Sequence, residues 1–292
     1  MGNPQFPAVT VGLMAFNEEK YLAKAIESIL KQGYPVLELI IGDNASTDST
    51  PDIAAKALAE NPSIKILRHE RNVGAIENFN RLVRAGTGKY FVLAGAHDLW
   101  SENYLAELVA GMEARPGAVH AFGLTAWIDG DGKPVETWSG FTDTSDFDAF
   151  RRFWFAVFGN QNSMYGIYRM DALRKTRLQR QIVGSGLVLL SELALLGEFA
   201  FVNGPVWFRR INRDPESRKQ RLKRYRRILY NRKRFHILPH WIIPWELFLA
   251  IIRTRIGFVN RILLLFSLPA VFLLLFRNLM TDIGDLFGIT GK

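Results

Sequence analysis

The stretch Leu39-Ile40-Ile41-Gly42-Asp43-Asn44-Ala45-Ser46-Thr47-Asp48-Ser49-Thr50 decides the fold. Its apolar half has the β-branched, alternation-free composition of a strand buried on both faces of a parallel sheet. Gly42 ends the run, and the carboxylate and small polar residues after it read as the C-terminal end of a strand opening into a ligand crevice. Asp43 stands where a carboxylate can accept hydrogen bonds from a base or a sugar hydroxyl. Thr50 followed by Pro51 reads as an N-cap and a favoured first helical residue, so a helix begins at once.

The same grammar recurs on both sides. Ala8–Ala15 is β-prone and leads into Phe16-Asn17-Glu18-Glu19, after which Leu22, Ile26, Ile29 and Leu30 repeat at helical spacing. Ile64–Leu67 is another strand, followed by Arg71-Asn72-Val73-Gly74 and a helix through Arg84. Lys89–Leu93 is a fourth strand and runs into Ala96-His97-Asp98. Strands alternating with helices of about a dozen residues imply an α/β fold with a mostly parallel sheet and right-handed crossovers. No Gly-x-Gly-x-x-Gly follows the first strand, which disfavours a nicotinamide or flavin site. Gly86-Thr87-Gly88-Lys89 is not a phosphate loop either: Tyr90 replaces the Ser or Thr, and a strand follows where a helix is needed.

Taken in order, Phe16-Asn17-Glu18-Glu19, Asp43-Asn44-Ala45-Ser46-Thr47-Asp48, Arg71-Asn72-Val73-Gly74 and Ala96-His97-Asp98 resemble the family 2 glycosyltransferases, which have the GT-A fold. The resemblance covers about residues 8 to 215, and its specificity lies in the ordered set. It implies an inverting enzyme that binds a nucleotide-sugar, here UDP-linked, across the strand tips. By position, Phe16 stacks on or flanks the nucleoside beside Asn17 and Glu18, and Asp43 accepts a base N–H. Asp98 is the last carboxylate of an Asp-x-Asp element that holds a divalent metal, Mn or Mg, on the diphosphate. Asn72, Gly74 and Asn78 shape the loop beneath the nucleotide, and His97 is read as a phosphate contact or a turn histidine.

Three positions depart from the family pattern. Ala96 replaces the first carboxylate, Gly186 stands where many relatives carry an Asp, and Asn212 stands where relatives often carry a metal-binding His. A single carboxylate makes a poor divalent-metal site. An active enzyme would then lean on the substrate's own phosphates, or on His97, Arg209, Arg210 or Arg213, for positive charge. Glu192, in the helix Leu187–Leu196, is the remaining base candidate. The competing reading is a catalytically degenerate subunit that binds a nucleotide-sugar or glycan. A protein partner could complete the site.

The chain of 292 residues has room for one large domain plus additions. The expected division is a nucleotide-sugar-binding half at 1–115, an acceptor and catalytic half of the same domain at 116–215, and a basic, membrane-associating region at 216–292. The absence of cysteine suits a reducing compartment, and the start MGNPQFPAVT lacks the basic region and apolar core of a leader. The net charge of +9 is concentrated: thirteen Arg and Lys against two acids lie between Trp207 and Phe235, so the remainder is slightly acidic. Arg218–Phe235 reads as a helix with cations around most of its surface. No base-reading motif or stacking platform accompanies it, so nucleic acid is not the expected partner.

The segments beyond this cationic helix point to a membrane. His236–Ile252 is apolar and aromatic, with Trp241 and Trp245 placed like interfacial anchors. Ile262–Phe276 is fifteen uncharged residues, about 22 Å of helix against the roughly 30 Å of a hydrocarbon core. With Pro269 inside it, a re-entrant or in-plane hairpin is favoured over a clean span. The expected place is the cytoplasmic face of the inner membrane, with a lipid-linked or polysaccharide acceptor. Phe150–Phe158 is read as core, with a place in the acceptor site as the alternative.

Overall fold

The computed structural model describes residues 6–35, 37–138, 143–159, 161–211 and 238–286. Asn212, Arg213 and the cationic segment Arg218–Phe235 lie outside the described residues.

Four strands form the parallel half of the sheet: β1 (Val9–Ala15), β2 (Leu37–Asp43), β3 (Ile64–Arg68) and β4 (Tyr90–Gly95). Register places Ala15 beside Asp43, and Met14 beside both Gly42 and Gly95, so the three tips end level. This is the level edge that a strand-tip crevice requires. Between them run α1 (Leu22–Leu30), α2 (Thr50–Glu60) and α3 (Ala75–Ala85). Side chains alternate between the two faces of the sheet. Val9, Val11, Leu13, Leu39 and Ile41 pack under α1, while Ile40, Phe91 and Leu93 meet Phe79 and Leu82 of α3 on the other face.

Beyond β4 the sheet becomes mixed. It continues through β5 (Leu99–Trp100), β6 (Ala118–Ile128), β7 (Pro134–Trp138), β8 (Ile167–Arg169) and β9 (Glu198–Arg210), in the spatial order β3-β2-β1-β4-β8-β6-β9-β5 with β7 paired to β6. β8 runs antiparallel to β4 and β6, whereas β9 lies parallel to β6. β6 and β7 form a hairpin: in its connection Asp129 accepts hydrogen bonds from the amides of Asp131 and Lys133, and Gly132 supplies the positive φ.

The remaining helices are α4 (Tyr104–Glu113), α5 (Ala149–Phe158), α6 (Met170–Lys175), α7 (Ser185–Leu196), α8 (Ile242–Arg253), α9 (Phe258–Ser267) and α10 (Ala270–Leu286). α4 covers the α1 face, and α7 covers the opposite face through Leu189, Leu190 and Leu193. The aromatic cluster on α5 is packing: Phe153 and Val157 are buried with Val188, Leu247, Ile251 and Leu264. The segment expected to lie at an interface is largely docked instead. Ile243, Leu247, Ala250 and Ile251 turn α8 into the protein, leaving Trp241 and Trp245 at its surface.

The apolar tail is longer than the fifteen uncharged residues suggest. Only Leu268 and Pro269 separate α9 from α10, and Phe258–Gly284 is a helical stretch of 27 residues whose most apolar 18 have a mean hydropathy of 2.2 and are little buried. By length and composition it could cross a bilayer.

Candidate active site

The crevice is assembled from loops that leave β1, β2 and β4 together. Asn17 turns the chain with a positive φ of 55°, tolerable for Asn, and its side-chain oxygen accepts from the Thr47 amide at 2.9 Å. The Asn17 amide in turn donates to Ser46 Oγ. Thr50 is not the N-cap expected of it. It is the first helical residue, and its hydroxyl accepts the Glu18 amide at 2.7 Å while Asp48 bonds the amides of Thr50 and Glu19. These polar contacts clasp the first and second strand tips, and they leave Phe16 on the rim, 45% exposed.

Asp43 is fully buried at the last position of β2. Its Oδ1 accepts from the Ser46 amide at 3.0 Å. Its Oδ2 has no hydrogen bond, although the Arg68 Nε lies 3.4 Å away at a poor angle for one. A buried carboxylate oxygen left in this state costs free energy unless a donor arrives.

The floor is built by the loop after β3. Asn44 donates to Asn72 Oδ1 and accepts the Val73 amide, and Asn72 also accepts the Gly74 amide. Gly74, at φ 84°, caps α3 in a conformation costly for other residues. Asn78 donates to the Gly42 carbonyl at 2.8 Å and bonds His69. It sits so close that a Cβ on Gly42 would lie 2.5 Å from its oxygen. Asn72, Gly74 and Asn78 therefore hold the loop beside Asp43 and do not themselves line open space.

At the third tip, Asp98 is buried and does not cap α4, whose N-cap is Asn103. Its Oδ1 accepts the Arg210 amide at 2.9 Å, and Oδ2 lies where a Cβ on Gly95 would come within 2.5 Å. Burial raises the Asp98 pKa above the usual carboxylate range, against the pull of His97, the Arg210 amide, Arg209 and Trp207. His97 shares a 2.8 Å hydrogen bond with Glu18 through Nδ1, and its Nε2 is 3.9 Å from Asp98. The tips of β1 and β4 are thus joined by Glu18, His97 and Asp98 in a row.

Behind that row stands a wall the sequence did not disclose. Trp207 stacks on Tyr165 at 3.9 Å, and the Arg209 guanidinium lies 4.4 Å over Trp127 and 5.7 Å from the Trp207 ring. Arg209 also donates to Asn162 Oδ1 at 2.6 Å. Arg210 is spent on structure: its guanidinium bonds the carbonyls of His97, Asp129 and Gly130.

Glu192 is not with these groups. Arg177 takes both of its oxygens, by Nε and by its backbone amide, and the same arginine bonds Glu246 on α8. Its partners belong to the α6–α7 connection and α8, not to the strand tips, so the base expected there is a buried structural ion pair. At Gly186 a Cβ would meet the Met164 sulfur at 2.2 Å, so a side chain there would require Met164 to move.

Level parallel tips carrying a buried carboxylate, on a sheet whose second half is mixed, are the arrangement that the resemblance to GT-A glycosyltransferases implies. Residues 10–176 match the model of glycosyl transferase family 2, more than half of the chain, and the chain belongs to that family. It is 27% identical over 111 residues to the glycosyltransferase GlyG of Streptococcus pneumoniae serotype 4, covering 38% of this chain and 37% of that one. It is 28% identical over 130 residues to TuaG of Bacillus subtilis, named for teichuronic acid biosynthesis, covering 44% and 51%. The chain thus spans about a third to a half of the length of these curated relatives. Among solved structures, S. aureus TarS 1–349 with UDP-GlcNAc superposes with a TM-score of 0.62 at 17% identity, over 96% of this chain and 80% of that one. The mannosyltransferase PcManGT of Pyrobaculum calidifontis, in complex with GDP-Man and Mn2+, gives 0.53 at 17%, over 97% and 87%. At such identities the likeness is one of fold.

Proposed function

We propose that this glycosyltransferase takes its sugar from a UDP-linked donor and passes it, with inversion, to a lipid-linked or polysaccharide acceptor at the cytoplasmic membrane face. The observation that carries the donor reading is the hydrogen-bond-free Oδ2 of fully buried Asp43. An acceptor there selects bases with a ring N–H, such as uracil, and Phe16 on the rim offers a stacking face. TarS in complex with UDP or UDP-GlcNAc, and the polysaccharide name of TuaG, favour the same substrates. In the transfer the acceptor oxygen bonds to the sugar C1 as the C1–O bond to the diphosphate breaks. The bonding pair leaves with the diphosphate, and the hydroxyl proton goes to a base. The division at about residues 115 and 215 remains our assignment of donor, acceptor and membrane-facing regions.

A divalent metal fits this site poorly. Ala96, in the place of the family's first carboxylate, is fully buried in the hydrophobic core, and no group of three His, Cys, Asp or Glu able to hold a metal occurs among the described residues. Ala96 and Gly186, in place of the family's carboxylates, are what a degenerate, binding-only subunit would also show. Release of nucleoside diphosphate from a panel of nucleotide-sugars, with membranes as acceptor source and with or without manganese, separates the two: turnover is expected, and none under any condition would leave only binding.

The membrane reading rests on the exposed apolar residues of α9 and α10, including Phe258, Phe266, Leu273 and Phe276. Because α8 is packed into the protein, cutting the chain before it would uncover core. Replacing Phe266 and Leu273, 83% and 77% exposed, with Asp is the cleaner test. The native protein is expected to float with phosphatidylglycerol vesicles and the double variant to stay at the bottom of the gradient. Flotation of both would remove the tail as the anchor.

A further inference from the structure

Arg209 is half-buried on β9, and among the described residues its guanidinium is held by Asn162 and two tryptophan rings and by no ion pair within 4 Å. That is unusual for a partly desolvated guanidinium, since charges taken from water are normally paired. It is also held still. Trp127 lies under its plane at 4.4 Å, Trp207 flanks it two residues earlier on the same face of β9, and Asn162 fixes Nη1 at 2.6 Å. β6 and β9 are parallel neighbours with Trp127 opposite Arg209, so the stack is set by sheet register and not by a mobile loop. The flanking backbone fixes its place: Phe208 pairs with Leu99 just past the β4 tip, and the Arg210 amide donates to Asp98 Oδ1 at 2.9 Å. Arg210, its neighbour, is excluded from a similar role by its three carbonyl partners.

We infer that Arg209 is the cation that binds the donor's diphosphate in this protein, in the role a divalent metal would otherwise fill. The inference rests on the proposed nucleotide-binding function and names the group that recognises the phosphates. A planar guanidinium offers paired N–H donors that match phosphate oxygens, and its charge is permanent. Stacking and the Asn162 bond fix its orientation beforehand, so little side-chain freedom is lost on binding. The burial of Ala96 and the lack of a metal-holding cluster leave this fixed charge as a counter-ion that the described residues do supply.

The test is calorimetry with UDP, GDP and dTDP against the matching nucleosides, on the full chain in EDTA and again with manganese. In EDTA the preferred diphosphate is expected to bind at least about tenfold more tightly than its nucleoside. Arg209→Met should lose that increment, roughly ten- to a hundredfold, while nucleoside affinity is kept; Arg209→Lys should recover part of it. Asn162→Ala, which frees the guanidinium without removing it, should weaken the diphosphate by a smaller factor. Retained nucleoside binding shows that the variants are folded. An increment that appears in the native protein only with manganese, or one that survives in Arg209→Met, overturns the inference and leaves the nucleotide reading standing. If neither diphosphates nor nucleosides bind the native protein, the nucleotide reading itself fails.

Discussion

Asp43→Asn is expected to abolish nucleotide binding while leaving the fold in place. The substitution keeps the shape of the side chain, and an amide oxygen can still accept the Ser46 amide at the Oδ1 position. The other end then presents NH2 where Oδ2 now offers an unsatisfied acceptor. A base N–H directed at that atom would meet a donor, so a charged hydrogen bond is replaced by two donors facing each other. Loss of a hydrogen bond to a charged group is worth about 1.5–3 kcal/mol, and the residual donor clash adds to it. Affinity for UDP should therefore fall on the order of a hundredfold or more, with the thermal shift produced by UDP disappearing. The melting temperature without ligand should change little, because Arg68 is more than half exposed and its ion pair with Asp43 contributes weakly. An unaltered dissociation constant would remove Asp43 from the pocket. A large fall in the unliganded melting temperature would instead mark Asp43 as part of the loop's structure.

The parallel half of the sheet was legible because its physics is local. Buried parallel strands are written as short apolar runs, and each ends in polar residues that cannot continue into the core, so Asp43 and Asp98 could be placed at tips from the order of residues alone. Thr50 was misplaced by one step for a tertiary reason: the clasp with Glu18 claims its hydroxyl, and Asp48 takes over the capping. The mixed half was less legible, because its strands pair across long separations. Nothing near Arg209 in sequence announces Trp127 or Asn162; β6 and β9 bring Trp127 alongside by parallel register. Trp241 and Trp245 suggested an interfacial segment, but the opposite face of the same helix carries Ile243, Leu247 and Ile251, and that face is docked. A helical periodicity read for both faces would have shown the division.

Glu192→Ala is expected to lower stability by about 3–5 kcal/mol, the usual cost of removing one member of a buried ion pair. Its side chain and that of Arg177 are 4% and 14% exposed, so the guanidinium left behind has little water to turn to. The effect reaches beyond α7, because Arg177 also bonds the Glu246 carboxylate at 2.6 Å and its carbonyl at 2.9 Å, and Arg180 lies 3.7 Å from the same carboxylate. These contacts pin α8 to the catalytic domain and thereby set where the apolar tail leaves it. A fall in melting temperature on the order of 10 °C should accompany the substitution. Glu192→Gln keeps one acceptor for the Arg177 amide and should cost less. The two variants also separate structure from chemistry: a general base would lose turnover in Glu192→Gln at full stability, since an amide cannot take the acceptor's proton. Here the folded fraction of Glu192→Gln should retain its turnover per molecule while its unfolding midpoint drops. Full stability with abolished turnover would return Glu192 to the reaction and undo its assignment to the ion pair.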